Sequence, residues 1–458
     1  MVVVPGRRPE RRETKPAERS IPGLAVRKAA AKLLGAVVDA KTPLDGLTDH
    51  EHGHPVFLAL DQRDRALVRA ILATALRYRG TIDRLISSRL EKPLPPNAHA
   101  LSHVLHVAAA QILFLDVPDS AAVDLAVTHA NSDPRTKRFA GLVNAVLRGL
   151  SRDKTSALPA RLAEGHEAPE WFRDRLAAAY GPAKAGAILA AHRIEAPVDF
   201  TVKSDPQKWA TALGGMVLPT GSVRVERLAA PVAELPGFEE GEWWVQDAAA
   251  ALPARMLGSL AGRKVADLCA APGGKTAQLV LAGAEVTAID TSANRLKRLN
   301  ENLARLRLQA KVIEADVSKY EAGEAFDAVL LDAPCSSTGT VRRHPDIPWT
   351  KSSEDVARLA ALQARLLQAA TRLVRPGGRI VFSNCSLDPV EGELLLAEFL
   401  AENPHMVVES VRPGEIAGAD CFITPRGAIR TTPADLDLGR PEISGLDGFF
   451  AVRLLRLH

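Results

Sequence analysis

From residue 241 onward, short apolar runs alternate with helical segments, and this alternation constrains the fold more than any other feature. The runs predict strands at 264–269, 285–290, 311–316, 326–332, 379–385 and 448–455. The segments between them predict helices at 247–257, 276–281, 292–306, 353–374 and 390–402. Such alternation is typical of a parallel sheet that helices cover on both faces. We therefore expect residues 241–458 to form an α/β Rossmann-like domain.

The residues before this domain predict three further units. Residues 22–150 carry apolar side chains at spacings of three and four, which predicts an all-helical bundle. One such face comprises Leu101, Val104, Leu105, Ala108, Ile112 and Leu115. Residues 151–240 show a weaker, mixed pattern that favours a small α/β connector. Residues 1–21 are rich in arginine and poor in apolar side chains, which predicts a disordered basic tail.

Length and composition disfavour several classes of protein. At 458 residues the chain is long enough for about three domains. Its 47% hydrophobic and 24% charged residues are typical of a soluble globular protein. No apolar run approaches the roughly 18 to 20 residues of a membrane span. The four cysteines show no CxxC spacing, which argues against a disulfide framework and a zinc site. We expect a cytoplasmic monomer without a metal or a membrane partner.

A Gly-rich turn follows the first strand predicted in the α/β domain. The turn begins after Asp267 and Leu268 and comprises Cys269, Ala270, Ala271, Pro272, Gly273, Gly274 and Lys275. Small residues and glycines let a backbone approach a ligand closely at the end of a strand. The pattern matches neither G-x-G-x-x-G nor the P-loop. Taken alone, it describes a tight strand-to-helix turn equally well.

Aspartates end the next three predicted strands. Asp290 lies 23 positions after Asp267, close to the offset of about 20 residues typical of a ribose-binding acid. Asp316 and Asp332 end the third and fourth strands. A single acid there is often only a cap or turn residue, but three on the edge that holds a Gly-rich turn indicate a ligand site. Carboxylates disfavour a pyrophosphate and suit S-adenosylmethionine, which carries ribose hydroxyls, a sulfonium and an ammonium.

Two of the four cysteines lie after predicted strands in polar surroundings. Cys335 lies in the segment Asp-Ala-Pro-Cys-Ser-Ser-Thr-Gly, and Cys385 lies in Phe-Ser-Asn-Cys-Ser-Leu-Asp. Each is therefore expected at the sheet edge where doubly wound folds bind ligands. Cys269 and Cys421 have no comparable set of polar neighbours, and we interpret them as small buried hydrophobic residues.

A thiol beside a methyl-donor site has a specific chemical use. Carbon 5 of cytosine is a poor nucleophile until a thiolate adds to carbon 6, and such addition is nucleophilic catalysis. Amine methylation needs no thiol. Adenine N6 enzymes moreover carry a Pro-Pro-aromatic tetrapeptide where this chain has Asp332, Ala333, Pro334 and Cys335. The pattern therefore favours methylation at carbon 5 of cytosine.

Several segments resemble known families. Five segments resemble the signature segments of the Nol–Nop–Sun family of RNA 5-methylcytosine methyltransferases. They are 267–275, 332–339, 343–346, 384–386 and 447–450. Residues 22–150 resemble the NusB antitermination factor, a helical RNA-binding domain, through segments 121–127 and 142–148. The pairing of both modules is the layout of bacterial family members that act on 16S ribosomal RNA.

The resemblance implies which residues bind the cofactor. Residues 269–275 would hold the methionine part of S-adenosylmethionine, and Asp290 would hold the ribose hydroxyls. Asp316 would lie near the adenine, and Asp332 near both the methyl donor and the target base.

The resemblance also implies a role for each thiol. Cys385 matches the family's nucleophile, and Cys335 matches a second cysteine tied to release of the methylated product. Many members carry threonine before the nucleophile, where this chain has Asn384. The role of a hydroxyl at that position is therefore left open, although the thiol is present.

These observations predict an S-adenosylmethionine-dependent enzyme that methylates a cytosine of RNA, with 16S ribosomal RNA as the first choice of substrate. The target base must leave its stack to reach Cys385. Transfer RNA is an alternative substrate, because related catalytic domains serve several RNAs. A non-catalytic RNA-binding assembly factor is the alternative from another class, and the presence of both thiols and all three acids argues against it.

Overall fold

The computed structural model describes residues 21–165 and 167–458 of the chain. The basic tail expected at 1–21 lies, apart from Ile21, outside the described residues. Within the described part, no helix is both long enough and apolar enough to cross a membrane. A helical bundle, a connector and an α/β domain follow one another along the chain, which confirms the predicted multidomain fold class.

The first unit is the helical bundle. Its helices are α1 (Leu24–Val38), α2 (Leu44–Leu47), α3 (Pro55–Leu58), α4 (Gln62–Arg77), α5 (Arg79–Ser87), α6 (His99–Phe114), α7 (Asp119–Ser132) and α8 (Ala140–Ala163). Helix α6 contacts α1, α4, α7 and α8. It is buried almost all round, which is typical of a central core helix. Helix α8 continues past residue 150, so the bundle and the connector share one helix.

The connector contains a long helix and a small antiparallel sheet. Helix α9 (Glu170–His192) is kinked at Gly181, which has a left-handed φ of 74°. The sheet has the order β2-β3-β1-β4. Its elements are β1 (Val198–Val202), α10 (Pro206–Leu213), β2 (Met216–Val217), β3 (Val223–Val225) and β4 (Trp243–Val245). Trp243 is fully buried against Phe200, with ring centroids 4.8 Å apart, so the sheet has a core of its own.

The α/β domain is a doubly wound sheet with one antiparallel edge. Its strands are β5 (Lys264–Leu268), β6 (Glu285–Asp290), β7 (Lys311–Glu314), β8 (Phe326–Asp332), β9 (Val374–Asn384), β10 (Met406–Val408), β11 (Ile429–Thr431) and β12 (Phe449–Arg456). The order is β10-β12-β9-β8-β5-β6-β7, and β11 also pairs with β12. Strands β5 to β9 are parallel, whereas β12 runs antiparallel to β9. The short strands β10 and β11 were not predicted.

Helices cover both faces of this sheet. They are α11 (Leu252–Arg255), α12 (Gly274–Leu281), α13 (Ala293–Arg305), α14 (Ile347–Thr350), α15 (Ser353–Leu373) and α16 (Glu393–Glu402). The helix predicted over 247–257 is wrong in its extent, because only α11 is helical there. Pro253 cannot donate a hydrogen bond and is tolerated only in the first turn of a helix. Upstream, the Asp247 carboxylate accepts the Ala249 N–H at 2.8 Å and forms a turn instead.

The helical bundle packs directly against the α/β domain. The Leu44 N–H donates to the Asp346 carboxylate at 3.0 Å, and the Lys41 ammonium donates to the Trp349 carbonyl at 2.8 Å. The Trp349 indole N–H donates in turn to the Leu76 carbonyl at 3.1 Å, and its ring packs on the bundle core. Helix α14 and the residue before it, Asp346, are therefore points of attachment between the two units.

Candidate active site

The candidate residues lie at one edge of the large sheet, where the strand order reverses. Strand β5 has β6 on one side and β8 on the other. Cys269 follows β5, Asp290 ends β6, Asp332 ends β8 and Cys385 follows β9. Because these four strands are parallel, all four residues lie at the carboxyl edge. Doubly wound sheets bind their ligands in the crevice outside this edge.

The Gly-rich turn has a compact backbone. Cys269 and Gly273 both have left-handed backbones, with φ of 59° and 101°. The Arg295 guanidinium donates to the Ala271 carbonyl at 2.6 Å and holds the turn from α13. Burial raises the pKa of Cys269 to about 12, so this thiol stays protonated and does not serve as a nucleophile. The remaining turn residues are buried Ala270, exposed Pro272, and Gly274 and Lys275 in the first turn of α12.

Two buried carboxylates lie behind this turn. Asp267 in β5 accepts the Thr276 hydroxyl at 2.6 Å, and its other oxygen has no partner among the described residues. Burial raises the pKa of Asp267 to about 7. Asp290 is only 2% exposed and accepts the backbone N–H groups of Ala271 at 3.3 Å and Ser292 at 3.1 Å. Asp290 therefore ties the end of β6 to the Gly-rich turn.

Asp332 connects the Gly-rich turn to the thiols. Its carboxylate accepts the Lys275 ammonium at 2.7 Å and the Ser383 hydroxyl at 2.9 Å. The same ammonium lies 5.0 Å from the centroid of the Phe449 ring. Ser383 is two residues before Cys385 in the chain. A positive charge and a carboxylate are thus held together beside the nucleophile candidate.

Asp316 lies two residues beyond the end of β7, because that strand ends earlier than predicted. Its carboxylate is 47% exposed and accepts the Ser318 N–H at 2.9 Å and the Ser318 hydroxyl at 2.7 Å. These hydrogen bonds lower the pKa of Asp316. The preceding Ala315 N–H donates to the Asp290 carbonyl at 3.1 Å, so Asp316 shares the sheet edge with the other acids.

The two thiols contact each other. The sulfur of Cys335 lies 3.3 Å from the sulfur of Cys385, and the Ser337 hydroxyl lies 3.6 Å from Cys385 and 3.9 Å from Cys335. The hydrogen bond with the Cys335 thiol lowers the pKa of Cys385, and the contact with the Ser337 hydroxyl adds to this effect. The same contact raises the pKa of Cys335 well above its usual value. Of the two thiols, Cys385 is therefore the one that loses its proton more readily, and Cys335 is the one that keeps it.

A buried glutamate that sequence reasoning missed holds both cysteine segments. Glu391 is inaccessible to solvent, and burial raises its pKa. Its carboxylate accepts the N–H of Ser336 at 2.9 Å, the Ser336 hydroxyl, and the Gln363 amide at 2.8 Å. Ser336 follows Cys335 in the chain, so Glu391 fixes the loop that carries this thiol. A glutamate before a helical segment is usually solvated, and no motif marked this one.

Asn384, at the position where many Nol–Nop–Sun members carry threonine, belongs to the same buried network. Its amide nitrogen donates to the Glu391 carbonyl at 2.6 Å and to the Gln363 side chain at 3.1 Å. Its amide oxygen accepts the Ser386 N–H at 3.0 Å. Asn384 therefore positions the strand end that carries Cys385, and its hydrogen bonds are made with the network rather than with the sulfur.

Two glycines let the two cysteine segments pack closely. A Cβ atom on Gly339 would lie 2.0 Å from the Gly448 carbonyl oxygen, which is too close for any side chain. The Gly339 N–H donates to the Cys385 carbonyl at 2.9 Å, and the Gly448 N–H donates to the Gly339 carbonyl at 2.8 Å. The glycine of the Cys335 segment is thus required by the close approach of three backbone segments.

A buried ion cluster, also missed from sequence, attaches the connector to this site. The Arg343 guanidinium donates to Asp247 at 2.7 Å, to Asp447 at 3.0 Å and to the Pro197 carbonyl at 3.0 Å. Burial raises the pKa of Asp447 to about 7, although the guanidinium opposes this change. Because Asp447 precedes Gly448, the cluster fixes the segment that supports the Cys335 loop.

This topology and site define a class of protein. The sheet is doubly wound with an antiparallel strand at its edge, a Gly-rich turn follows β5, and two thiols meet at the strand ends. Together these features indicate a methyltransferase of the cysteine-dependent kind. Among the described residues, no group of three or more His, Cys, Asp or Glu is arranged to hold a metal ion.

Comparison with known proteins is consistent with this class. The family described as 16S rRNA methyltransferase RsmB/F matches residues 254–455, and the NusB family matches residues 24–152. Proteins described as ribosomal RNA small subunit methyltransferase B are similar along most of the chain. The one from Vibrio vulnificus is 37% identical over 83% of this chain and 91% of its own length. The one from Xanthomonas campestris is 36% identical over 96% and 99%.

These relatives establish the family. The chain belongs to the RsmB/F family of 16S rRNA methyltransferases, with a NusB-family region before its catalytic domain. The crystal structure of a protein named PH0851 superposes with a TM-score of 0.71 and covers 96% of this chain and all of its own (100%). At 23% identity this likeness concerns the fold.

Proposed function

We propose that the chain methylates carbon 5 of a cytosine in 16S ribosomal RNA in the cytoplasm, with S-adenosylmethionine as methyl donor. The observation that carries this proposal is the contact between the two thiols, in which Cys335 lowers the pKa of Cys385. The names of the relatives from Vibrio vulnificus and Xanthomonas campestris support the choice of ribosomal RNA.

The residues at the sheet edge fit S-adenosylmethionine. The buried Asp267 has one oxygen without a partner among the described residues, and Asp290 and Asp332 add two further carboxylates. Such a set suits a ligand with ribose hydroxyls and two cationic groups. Asp290 would hold the ribose, Asp316 would lie near the adenine, and residues 269–275 would hold the methionine part. When bound, the cofactor supplies an electrophilic methyl group.

Cys385 would act on the cytosine ring. Its thiolate adds to carbon 6, so that an S–C bond forms, the 5,6 double bond opens, and carbon 5 becomes nucleophilic. Asp332, held by Lys275 at 2.7 Å, lies beside this reaction and would share a proton with ring nitrogen 3. Carbon 5 would then take up the methyl group as the methyl–sulfur bond of the donor breaks and leaves a neutral sulfide. The S–C bond to Cys385 must still break.

Cys335 would assist release of the product. A base removes the proton from carbon 5, the 5,6 double bond forms again, and the Cys385 thiolate leaves with the electrons of the S–C bond. The Cys335 thiol lies 3.3 Å from this leaving sulfur and can donate a hydrogen bond to it. The contact that lowers the pKa of Cys385 would therefore also stabilise the departing thiolate.

Replacing Cys385 by alanine tests the proposal. We expect the Cys385→Ala protein to lose methyl transfer to 16S ribosomal RNA while calorimetry shows unchanged affinity for S-adenosylmethionine. Cys421→Ala is the control and should retain activity, because Cys421 is exposed and not buried as the sequence predicted. Normal turnover by Cys385→Ala would overturn the mechanism. Bisulfite mapping of ribosomal and transfer RNA from a deletion strain would identify the substrate. If only a transfer RNA cytosine lost its methylation, transfer RNA would replace 16S ribosomal RNA as the proposed substrate.

A further inference from the structure

The helical bundle contains a polar groove far from the sheet edge in sequence. It has a volume of about 490 Å³ and lies between α1, α6 and the end of α7. We call it the histidine groove. Its lysine, histidine and arginine side chains are Lys28, Lys32, His99, His103, His129 and Arg135. Arg135 belongs to the short basic segment 135–138 that precedes α8.

Two lysines of the groove carry positive charges that no carboxylate of the described residues pairs with. Lys28 and Lys32 are exposed and lie one turn apart on α1, so their ammonium groups share one face. Neither makes a hydrogen bond or an ion pair with another residue that the structure describes. Arg135, by contrast, is held by Asp133 at 2.7 Å. The groove therefore offers two free cations to an anionic ligand.

The carboxylate at the other end of the groove is already engaged. The Asp39 carboxylate lies 2.8 Å from His103 and 3.3 Å from His99. The His103 side chain is only 6% exposed, and its Nδ1 atom is buried without a partner among the described residues. Asp39 thus orients the imidazoles of His99 and His103.

Two of the imidazoles, those of His103 and His129, have lowered pKa values that favour the neutral ring. Burial, together with the nearby Lys28, lowers the pKa of His129 to about 4, and burial also lowers the pKa of His103. Neutral imidazoles stack on nucleobases and exchange hydrogen bonds with their edges. Free ammonium groups bind phosphates. Both chemistries together match a nucleotide better than they match an acidic peptide, which has no flat ring to stack.

The position of the groove suits a strand that continues to the catalytic domain. Lys41, two residues after Asp39, donates to the Trp349 carbonyl of α14 at 2.8 Å. One end of the groove therefore lies at the junction of the bundle and the α/β domain. We propose that the histidine groove binds one unpaired nucleotide of the RNA substrate, with its phosphate at Lys28 and Lys32 and its base against His129. This proposal rests on the proposed function for the identity of the RNA.

The experiment measures binding of a transcribed 16S RNA fragment by fluorescence anisotropy at several salt concentrations. Lys28→Gln/Lys32→Gln is compared with Lys92→Gln/Lys311→Gln, which removes two exposed lysines elsewhere. We expect the groove variant to bind at least tenfold more weakly at low salt. Its slope of log affinity against log salt should fall by about 0.7, the change expected for one phosphate contact on a single strand. The control variant should match the wild type.

A second pair of variants isolates the base contact. His129→Phe keeps a flat ring and should retain most of the affinity, whereas His129→Ala should lose severalfold. Equal affinity and salt slope for the groove and control variants would overturn the groove, as would equal loss by both His129 variants. If RNA binding depends on Lys28 and Lys32 but the wild-type protein transfers no methyl group, only the proposed function would be overturned. A wild type that binds no RNA, or binds an acidic peptide instead, would overturn both.

Discussion

Replacing Ser337 by alanine is expected to raise the pKa of the Cys385 thiol. The Ser337 hydroxyl lies 3.6 Å from the sulfur, and the serine has a left-handed φ of 59°. A non-glycine residue in that conformation costs on the order of 1–3 kcal/mol and is typical of functional sites. A hydrogen bond to a charged group contributes about 1.5–3 kcal/mol. A hydrogen bond to sulfur contributes near the lower end of this range of free energy. We therefore expect the pKa of Cys385 to rise by about one unit, at roughly 1.4 kcal/mol per unit.

The sign follows from the form of the thiol that the hydroxyl stabilises. Once Cys385 has lost its proton, the Ser337 hydroxyl and the Cys335 thiol can donate to the sulfur, and both contacts lower the pKa of Cys385. Without the Ser337 hydroxyl the thiolate forms only at higher pH. Below both pKa values the rate of the variant should be about tenfold lower than that of the wild type, for a shift of about one unit. Above both values the two rates should converge.

The assay is single-turnover methyl transfer, with RNA and methyl donor saturating, over a range of pH. Single turnover excludes product release, in which Cys335 takes part, from the measured rate. Ser353→Ala, at the start of α15, is the control and should leave the profile unchanged. An unshifted midpoint in Ser337→Ala would refute the reasoning. A rate lowered equally at every pH would show that the serine positions the loop rather than tuning the thiol.

Three further outcomes are expected. Cys335→Ala should accumulate a covalent protein–RNA adduct that migrates as a slow band on a denaturing gel, and a merely slow variant without adduct would contradict its role in release. Asp290→Ala should weaken S-adenosylmethionine binding about tenfold or more by calorimetry, since charge-assisted hydrogen bonds contribute about 1.5–3 kcal/mol. Arg343→Met leaves Asp247 and Asp447 buried without their partner. Its free energy of unfolding, measured with denaturant, should fall by about 3–5 kcal/mol, and unchanged stability would contradict the importance of this cluster.

The strands and helices that carry the site could be predicted because their patterns are local. The alternation of apolar runs and helical segments predicted β6 and β8 with the bounds that the structure has, and β5 within one residue. Placing acids and thiols on one edge needed only the rule that parallel strands share their carboxyl ends. The helix expected at 247–257 was wrong because Asp247 forms a turn and serves a distant arginine, Arg343.

Contacts between distant segments could not be predicted in the same way. Arg343 meets Asp247 and Asp447 across 96 and 104 positions of the chain. Periodicity contains no information about such pairs, and a charged residue in a sequence is usually solvated. Trp349 likewise gave no sign that it would attach the helical bundle to the α/β domain. The resemblance marked the segments around Arg343 and Asp447 but did not explain them.

Glu391 fixes the two segments that carry the sulfurs of Cys335 and Cys385. Ser336, next to Cys335, donates to its carboxylate, and Asn384, next to Cys385, donates to its backbone carbonyl. One buried residue therefore anchors a neighbour of each thiol, so the 3.3 Å contact between the sulfurs does not depend on the thiols alone. Threonine at position 384 could not reach both Gln363 and the Glu391 carbonyl as the Asn384 amide does. The Asn384 amide thus positions the strand end that carries Cys385, and it does so without a hydroxyl before the nucleophile.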